Sequence, residues 1–369
     1  MSSQHTISGS KIAIRADAST PIGYGHLMRC LTLAGELREA GAKVFFLCRE
    51  LPGNLNARIC EQGFELTVLP DHCVSKAKQE FKNPYAAWLG CTVQEDAADC
   101  DAILSSKGGA DILIVDNYAL DAEWEMLMRQ HARVIMVIDD LAAFKHDCDL
   151  LLDQNFYLRQ NRYAGLVPSH CRVLTGPRHA LLRREFAEAK KTLRKRNGEL
   201  KKILLSFGGS DPDNETAKAL VGLETLRDIE LDVVIGAAHP DKDGIRKWVE
   251  QHPNARLHIQ SNRMAELMAA ADLGIGFGGS TNWERCFLGL PCLVVVPAEN
   301  ERQLNEDLAT SGAIKLLGFI EKLRPEDYAR AVASLTVGEL VKISEAASGL
   351  VPGGGPQIVI NELQQLLQR

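Results

Sequence analysis

The sequence has no excess of basic residues: 42 Lys and Arg stand against 48 Asp and Glu, a formal net charge of −6. Nothing in that balance favours a nucleic-acid backbone or an anionic membrane surface, so the expected partners are small molecules. No uninterrupted apolar run approaches the ~18 residues of a membrane-spanning helix, and the opening Met1-Ser-Ser-Gln-His-Thr6 lacks the charged-then-apolar pattern of a signal peptide. A cytoplasmic protein is expected, with no membrane partner. Ten cysteines, at 30, 48, 60, 73, 91, 100, 148, 171, 286 and 292, form no Cys-x-x-Cys pair and no repeating spacing. In a chain this long that is the usage of reduced, mostly buried thiols rather than of a disulfide frame or a zinc site. His-Glu-x-x-His, an EF-hand loop and an Asp-x-Asp directly after a strand are also missing, so neither a metal nor a cofactor is expected.

What is present is an ordinary globular composition, 46% apolar and 24% charged, over 369 residues, a length that favours two domains. Short apolar or β-branched runs alternate with longer amphipathic stretches, the pattern of βαβ units and a parallel sheet. In the first half the runs predict strands near Ile12–Arg15, Val44–Cys48, Leu66–Leu69, Ile112–Asp116, Val134–Ile138 and Leu150–Leu152. The clearest helix pattern lies at 29–41, where Leu31, Ala34 and Leu37 share a face and Gly41 supplies a stop. Between 190 and 202 seven of thirteen residues are Lys or Arg, which reads as a solvated face and as a boundary. The alternation then restarts, with strands near Ile203–Phe207, Asp232–Ile235, Ala255–Ile259, Leu273–Ile275 and Leu293–Val296. The expected architecture is α/β: two doubly wound, Rossmann-like lobes facing across a cleft, at 1–182 and 203–369, joined by a charged helix and linker at 183–202. Ligands of open α/β sheets sit beyond the carboxyl ends of the strands, so chemistry is sought in the loops there.

The first such loop runs from Asp17 through Gly23-Tyr-Gly25-His26 into a helix. Two glycines let the backbone approach a ligand, and the free N–H groups of the first turn favour an anion. The third glycine of a dinucleotide fingerprint is missing, and no Gly-Lys-Ser/Thr follows. His26 stands at the very start of the helix, where the dipole opposes a positive imidazolium and so favours the neutral state a general base needs. A capping or packing histidine fits the same position. In the second lobe Gly208-Gly209-Ser210-Asp211 and Gly278-Gly279-Ser280-Thr281 each place small residues and a hydroxyl before a helix, suiting phosphate oxygens held by backbone N–H groups. Glu284, one turn on, suits the two hydroxyls of a ribose, or is simply a helix glutamate favoured by the dipole. Asp139-Asp140 and Asp116-Asn117-Tyr118 end strands at the edge where a site belongs, but such residues also start turns.

Taken together, Arg15–Ser19, Ile22–Ala34 with its Gly-Tyr-Gly-His core, Asp139–Ala142, Cys148–Asn155, Gly176–Arg183, Phe207–Asp211 and Gly278–Cys286 closely resemble the UDP-sugar hydrolases of the pseudaminic-acid pathway. Those enzymes act on UDP-2,4-diacetamido-2,4,6-trideoxy-β-L-altropyranose and are similar to GT-B glycosyltransferases such as the enzyme that adds GlcNAc to lipid I. The resemblance implies that His26 is the catalytic base, that Gly208–Asp211 and Gly278–Thr281 hold the UDP phosphates, and that Glu284 holds the ribose. It further implies that backbone near Ile259–Arg263 holds uracil, and that Asp17, Tyr118 and Asn155 lie near the sugar pocket. It also places Asn300 in a loop that is expected to contact sugar or phosphate. There the chain departs from the family, reading Asn300-Glu301-Arg302-Gln303 where Asn-Gln is common; His179 also stands where Tyr is usual.

The expected activity is metal-independent hydrolysis of the UDP-sugar by water at the anomeric carbon, with inversion. A GT-B glycosyltransferase using the same donor, or a non-catalytic UDP-sugar sensor, are the alternatives.

Overall fold

The computed structural model describes residues 7–72 and 83–369, so the expectation for Cys73 lies outside the described residues. The chain divides into two units, the first holding the N-terminal part to Asn155 with Arg159–Leu181 and Gly354–Arg369, the second Phe156–Leu158 with Leu182–Gly353.

The first unit is built on β1 (Lys11–Ala16), β2 (Lys43–Arg49), β3 (Glu65–Leu69), β4 (Ala110–Asp116), β5 (Ala132–Ile138), β6 (Leu150–Asp153) and β7 (Arg172–Thr175), in the order β3-β2-β1-β4-β5-β6-β7. The second carries β8 (Lys202–Ser206), β9 (Glu230–Ile235), β10 (Ala255–Ile259), β11 (Leu273–Phe277), β12 (Cys292–Val296) and β13 (Lys315–Phe319), in the order β10-β9-β8-β11-β12-β13. Every pairing in both sheets is parallel. Central strands such as Ile112–Val115 and Cys292–Val296 are buried along their length, which is why they read as continuous apolar runs rather than alternating ones. Each sheet is doubly wound, and its order reverses between β1 and β4 in one unit and between β8 and β11 in the other. Such reversal points open a crevice at the carboxyl ends of the strands.

Two strands escape the sequence pattern, and both are at sheet edges. In β7 exposure alternates, half-buried with exposed, and Val173 is 37% exposed. Throughout β13 the residues are only half-buried, and the register against β12 shifts between Val294 and Val295. An edge strand lacks the neighbour that would demand a fully apolar run.

The expected extent of the second lobe to residue 369 needs correction. The last helix, Gly355–Leu367, sends Val359, Ile360, Leu363, Leu366 and Leu367 into the core of the first unit, beside Leu27, Leu31 and Leu33 of the helix Gly25–Glu39. The basic run is also more than a solvated face. Arg196 is buried and donates to the carbonyls of Met268, Ala271 and Leu288, satisfying orphan acceptors where two helices end, while Arg194 pairs with Asp272. Lys191, Lys195 and Lys201 remain exposed. All nine described cysteines are free, and seven of them are buried.

Candidate active site

Register assembles a cluster of side chains within the first unit. β1 and β4 pair with Ala16 opposite Asp116, so the loop leaving β1 and the residues closing β4 emerge side by side. The loop is shaped by its own turn: Gly23, at φ +79°, donates its N–H to the Ser19 carbonyl at 2.8 Å, and Gly25 opens the helix Gly25–Glu39. His26 on the first turn and Arg29 three residues later lie on one helix face, and both reach Asp116. His26 Nδ1 is 2.6 Å from Asp116 Oδ1; Arg29 donates through Nε to Oδ2 at 2.6 Å and through Nη2 to Oδ1 at 2.7 Å. Cys30 Sγ adds a weaker contact at 3.4 Å.

Asp116 is fully buried. Burial alone would push its carboxyl up, but Arg29 and His26 together hold it well below the usual carboxylate range. An ionised Asp116 can only accept, so the proton facing it sits on His26 Nδ1 and the ring's other nitrogen, Nε2, is the basic one.

A second carboxylate secures the arrangement. Asp140 accepts from Arg29 Nη1 at 2.9 Å and from the Tyr118 hydroxyl. Burial and the Asp140 charge raise the Tyr118 phenol well above its ordinary range, so it remains a neutral donor. Aromatic rings close around the imidazole: Tyr118 stands edge-on at 4.5 Å between centroids and Trp88 at 5.9 Å, with Tyr85 against both.

Of the other residues expected at this end, Asp17 does not face the loop. It is 1% exposed, and its oxygens accept from the Arg49 backbone N–H at 2.8 Å, from Asn117 Nδ2 at 3.0 Å and from Arg15 at 2.7 Å. It fastens β1 to β2 and β4 from within, in a buried charge cluster that continues through Arg15 and Arg49 to Asp96. Asp139 is likewise a turn residue, accepting from the N–H groups of Leu141 and Ala142. Asn155 is half-buried just past β6, its N–H donated to Asp153 Oδ1 at 2.9 Å.

In the second unit the loops after β8 and β11 are neighbours, because Ser206 pairs with Gly276. The two backbones are so close there that a Cβ on Gly276 would meet the Ser206 carbonyl at 1.8 Å. Gly208, Gly209 and Ser210 are exposed, and Gly208 takes φ +85° with open space beyond it. Asp211 turns inward: it accepts from the N–H groups of Glu215 and Thr216, both at 2.9 Å, and from the Thr216 hydroxyl at 2.6 Å, fixing the start of the helix Glu215–Leu223. On the companion loop Gly279 lies at φ +72°, Ser280 is exposed and Thr281 begins the seven-residue helix Thr281–Phe287.

Asn305 steadies that loop from behind, accepting from Asn282 Nδ2 at 3.0 Å and donating to the Glu301 carbonyl at 2.9 Å. Asn300 is exposed on the short turn Glu299–Glu301, and the Glu301 carboxylate comes within 3.9 Å of where a Gly279 Cβ would stand. Beyond β10, Gln260 holds the left-handed region at φ 52° and donates its N–H to the Ile235 carbonyl.

Glu284 is not a free helix glutamate. Arg183 donates to its Oε1 through Nε at 3.1 Å and Nη2 at 3.0 Å. Burial raises its carboxyl and Arg183 draws it back.

Among the described residues no group of three or more His, Cys, Asp or Glu side chains is arranged to hold a metal ion, and no helix is long and apolar enough to cross a membrane.

No protein-family model matches the sequence. Among curated proteins, the chain is 30% identical over 367 residues to the spore coat polysaccharide biosynthesis protein SpsG of Bacillus subtilis, covering 97% of this chain and 99% of that one. The chain belongs to the SpsG family. This SpsG-family chain is also 27% identical over 258 residues to the UDP-2,4-diacetamido-2,4,6-trideoxy-β-L-altropyranose hydrolase of Campylobacter jejuni, covering 70% of its own length and 81% of that protein. It spans only 58% of the length of an uncharacterized relative from Methanocaldococcus jannaschii, at 26% identity. Solved structures give the fold: Acinetobacter baumannii MurG has a TM-score of 0.66 at 15% identity, covering 96% of this chain and 99% of that one. A glycotransferase of kitacinnamycin has a TM-score of 0.65 at 19% identity, covering 97% and 99%. The fold is GT-B-like, each unit a Rossmann-like α/β sheet.

The sequence marks Asp116 only as a strand-ending acid and does not reveal it as the partner of His26. Nor does it single out Arg29, Tyr85 or Trp88. The one available signal is the His26–Arg29 spacing of three on a helix, which puts an imidazole and a guanidinium on one face, two donors that an anion opposite can receive.

Proposed function

We propose that the protein is a UDP-sugar hydrolase in which His26 activates water for attack on the anomeric carbon, with UDP as leaving group and inversion at that carbon. The observation that carries this reading is the His26–Asp116 contact at 2.6 Å, at the point where the first sheet reverses its strand order. An ionised carboxylate on Nδ1 fixes the tautomer, orients the ring and stabilises the imidazolium formed when Nε2 takes a proton from water. Arg29 and Asp140 hold the carboxylate in turn.

The leaving diphosphate is assigned to Gly208, Gly209, Ser210, Gly279, Ser280 and Thr281, where glycine-shaped loops can turn backbone N–H groups toward developing negative charge. Glu284 is assigned to the ribose, Asn300 and Tyr118 to the sugar side. The name of the Campylobacter jejuni relative supports UDP-2,4-diacetamido-2,4,6-trideoxy-β-L-altropyranose as substrate, and that of SpsG supports a place in polysaccharide biosynthesis.

The test is release of UDP from this substrate by the purified protein in the absence of any acceptor. Turnover at ordinary enzymatic rates supports hydrolysis. Turnover that appears only when a sugar or lipid acceptor is added makes the protein a glycosyltransferase, and binding without turnover makes it a sensor.

A further inference from the structure

We propose that Arg183 is a positioning residue for the nucleotide site: it holds the Glu284 carboxylate in the orientation and charge state that receives the ribose hydroxyls. The inference rests on the assignment of Glu284 to the ribose.

The geometry is that of a built clamp. Arg183 meets one oxygen of Glu284 through two nitrogens, Nε at 3.1 Å and Nη2 at 3.0 Å, and leaves Oε2 outside that contact. Its third nitrogen, Nη1, lies 2.7 Å from Glu185 Oε1, and its guanidinium stacks 5.0 Å from the centroid of the Phe186 ring. A guanidinium fixed on three sides is a rigid planar fork, which a flexible ammonium on a lysine stem cannot reproduce. The chain builds the fork on the residues leading into the helix Arg184–Lys191, which packs against the helix Thr281–Phe287 that carries Glu284.

The charges around Glu284 give the arrangement a second role. Burial raises its carboxyl, Arg183 lowers it, the Glu185 charge raises it, and Arg285 from its own helix lowers it. Arg285 is committed elsewhere, donating to the carbonyls of Phe277 and Ser206. Without Arg183, Glu284 faces burial and Glu185 with little opposition, and protonates at a higher pH. A protonated carboxyl accepts the ribose hydroxyls less well.

The experiment measures UDP binding to the full chain by calorimetry from pH 5.5 to 8, for wild type, Arg183→Gln, Arg183→Lys, Glu284→Gln and the Arg183→Gln/Glu284→Gln double variant, each checked for folding by thermal unfolding. Wild type is expected to show only the pH dependence that UDP itself brings, since its terminal phosphate loses its second proton at about pH 6. Arg183→Gln is expected to bind about tenfold more weakly than wild type at pH 8 and to fall further behind it as pH falls, whereas Arg183→Lys recovers the wild-type profile but not the full affinity. In the Glu284→Gln background the Arg183 substitution is expected to cost little more and to add no pH slope.

If Arg183→Gln and Arg183→Lys bind UDP like wild type at every pH while Glu284→Gln is weakened, Glu284 keeps its role and Arg183 loses the one proposed. Arg183 likewise loses that role if its substitution costs equally in both backgrounds. If neither Glu284→Gln nor the Arg183 variants weaken UDP, the ribose assignment falls and the inference with it.

Discussion

The two units share the strand order 3-2-1-4-5-6, yet they furnish its reversal point with different materials. In the first, the segments after β1, β4 and β5 carry side chains: His26, Arg29, Asp116, Tyr118 and Asp140, buried or half-buried and bonded to one another. In the second, the ends of β8 and β11 carry exposed backbone, with Gly208 and Gly279 in the left-handed region and Ser210 and Ser280 at the surface. One topology thus supports two kinds of site. Side chains locked by charge suit proton transfer, which needs one nitrogen in one place; glycine-shaped backbone suits a diphosphate, whose charge is spread over several oxygens. A buried charge network, however, is vulnerable to the loss of any member, while an exposed backbone loop is not.

The largest effect that can break this contrast is expected in the first unit. His26→Ala should lower kcat by about 10²–10⁴-fold with UDP affinity unchanged. Asp116→Asn should lower kcat by about 10²-fold or more through the wrong tautomer. Asp116→Ala, by leaving Arg29 buried without its main anion, should destabilise the fold by about 3–5 kcal/mol in chemical denaturation. A His26→Ala protein with near-normal kcat would remove the side-chain site from the chemistry.

A smaller effect belongs to the second unit. Glu284→Ala should weaken UDP by about 1.5–3 kcal/mol in calorimetry, the worth of a charged acceptor, while the unfolding midpoint changes little. If UDP affinity is intact, the nucleotide is held elsewhere and the division of labour fails.

The contrast also predicts where pH acts on stability. In the first unit His146 is buried between Glu125, at 2.7 Å, and Asp139, at 3.8 Å. Burial would lower its pKa, but the hydrogen bond to Glu125 and the charges of the two carboxylates push it up to about 10. Because the folded value lies above the unfolded one, this stabilisation is complete below about pH 6.5 and is lost as pH rises toward 10. Thermal unfolding followed from about pH 6 to 9.5 should show a falling midpoint that flattens in His146→Gln; an identical decline in both proteins would assign the pH dependence to other groups.

How far the structure is legible in the sequence depends on whether a property is local. The strands of both sheet interiors are legible because full burial demands apolar runs; edge strands carry no such demand, and of the four, β3 and β10 keep enough apolar residues to be read while β7 and β13 do not. The amphipathic stripe of Gly355–Leu367 does not say which sheet it will cover, and it covers the first. The site follows the same rule. His26 and the two glycine-serine loops stand out from their neighbours in sequence, while Asp116 is 90 residues from His26 and meets it only through the β1–β4 register. Asp17 and Asp116 look alike as acids closing strands; only the fold directs one to neighbouring backbone and the other to the histidine.

In the proposed reaction, water activated by His26 attacks carbon rather than phosphorus. The most direct test is turnover of UDP-2,4-diacetamido-2,4,6-trideoxy-β-L-altropyranose in ¹⁸O-labelled water with EDTA present, read by mass spectrometry. Undiminished turnover is expected, with the heavy oxygen in the free hexose and UDP unlabelled. Label on a phosphate, or release of UMP and sugar phosphate, would contradict it.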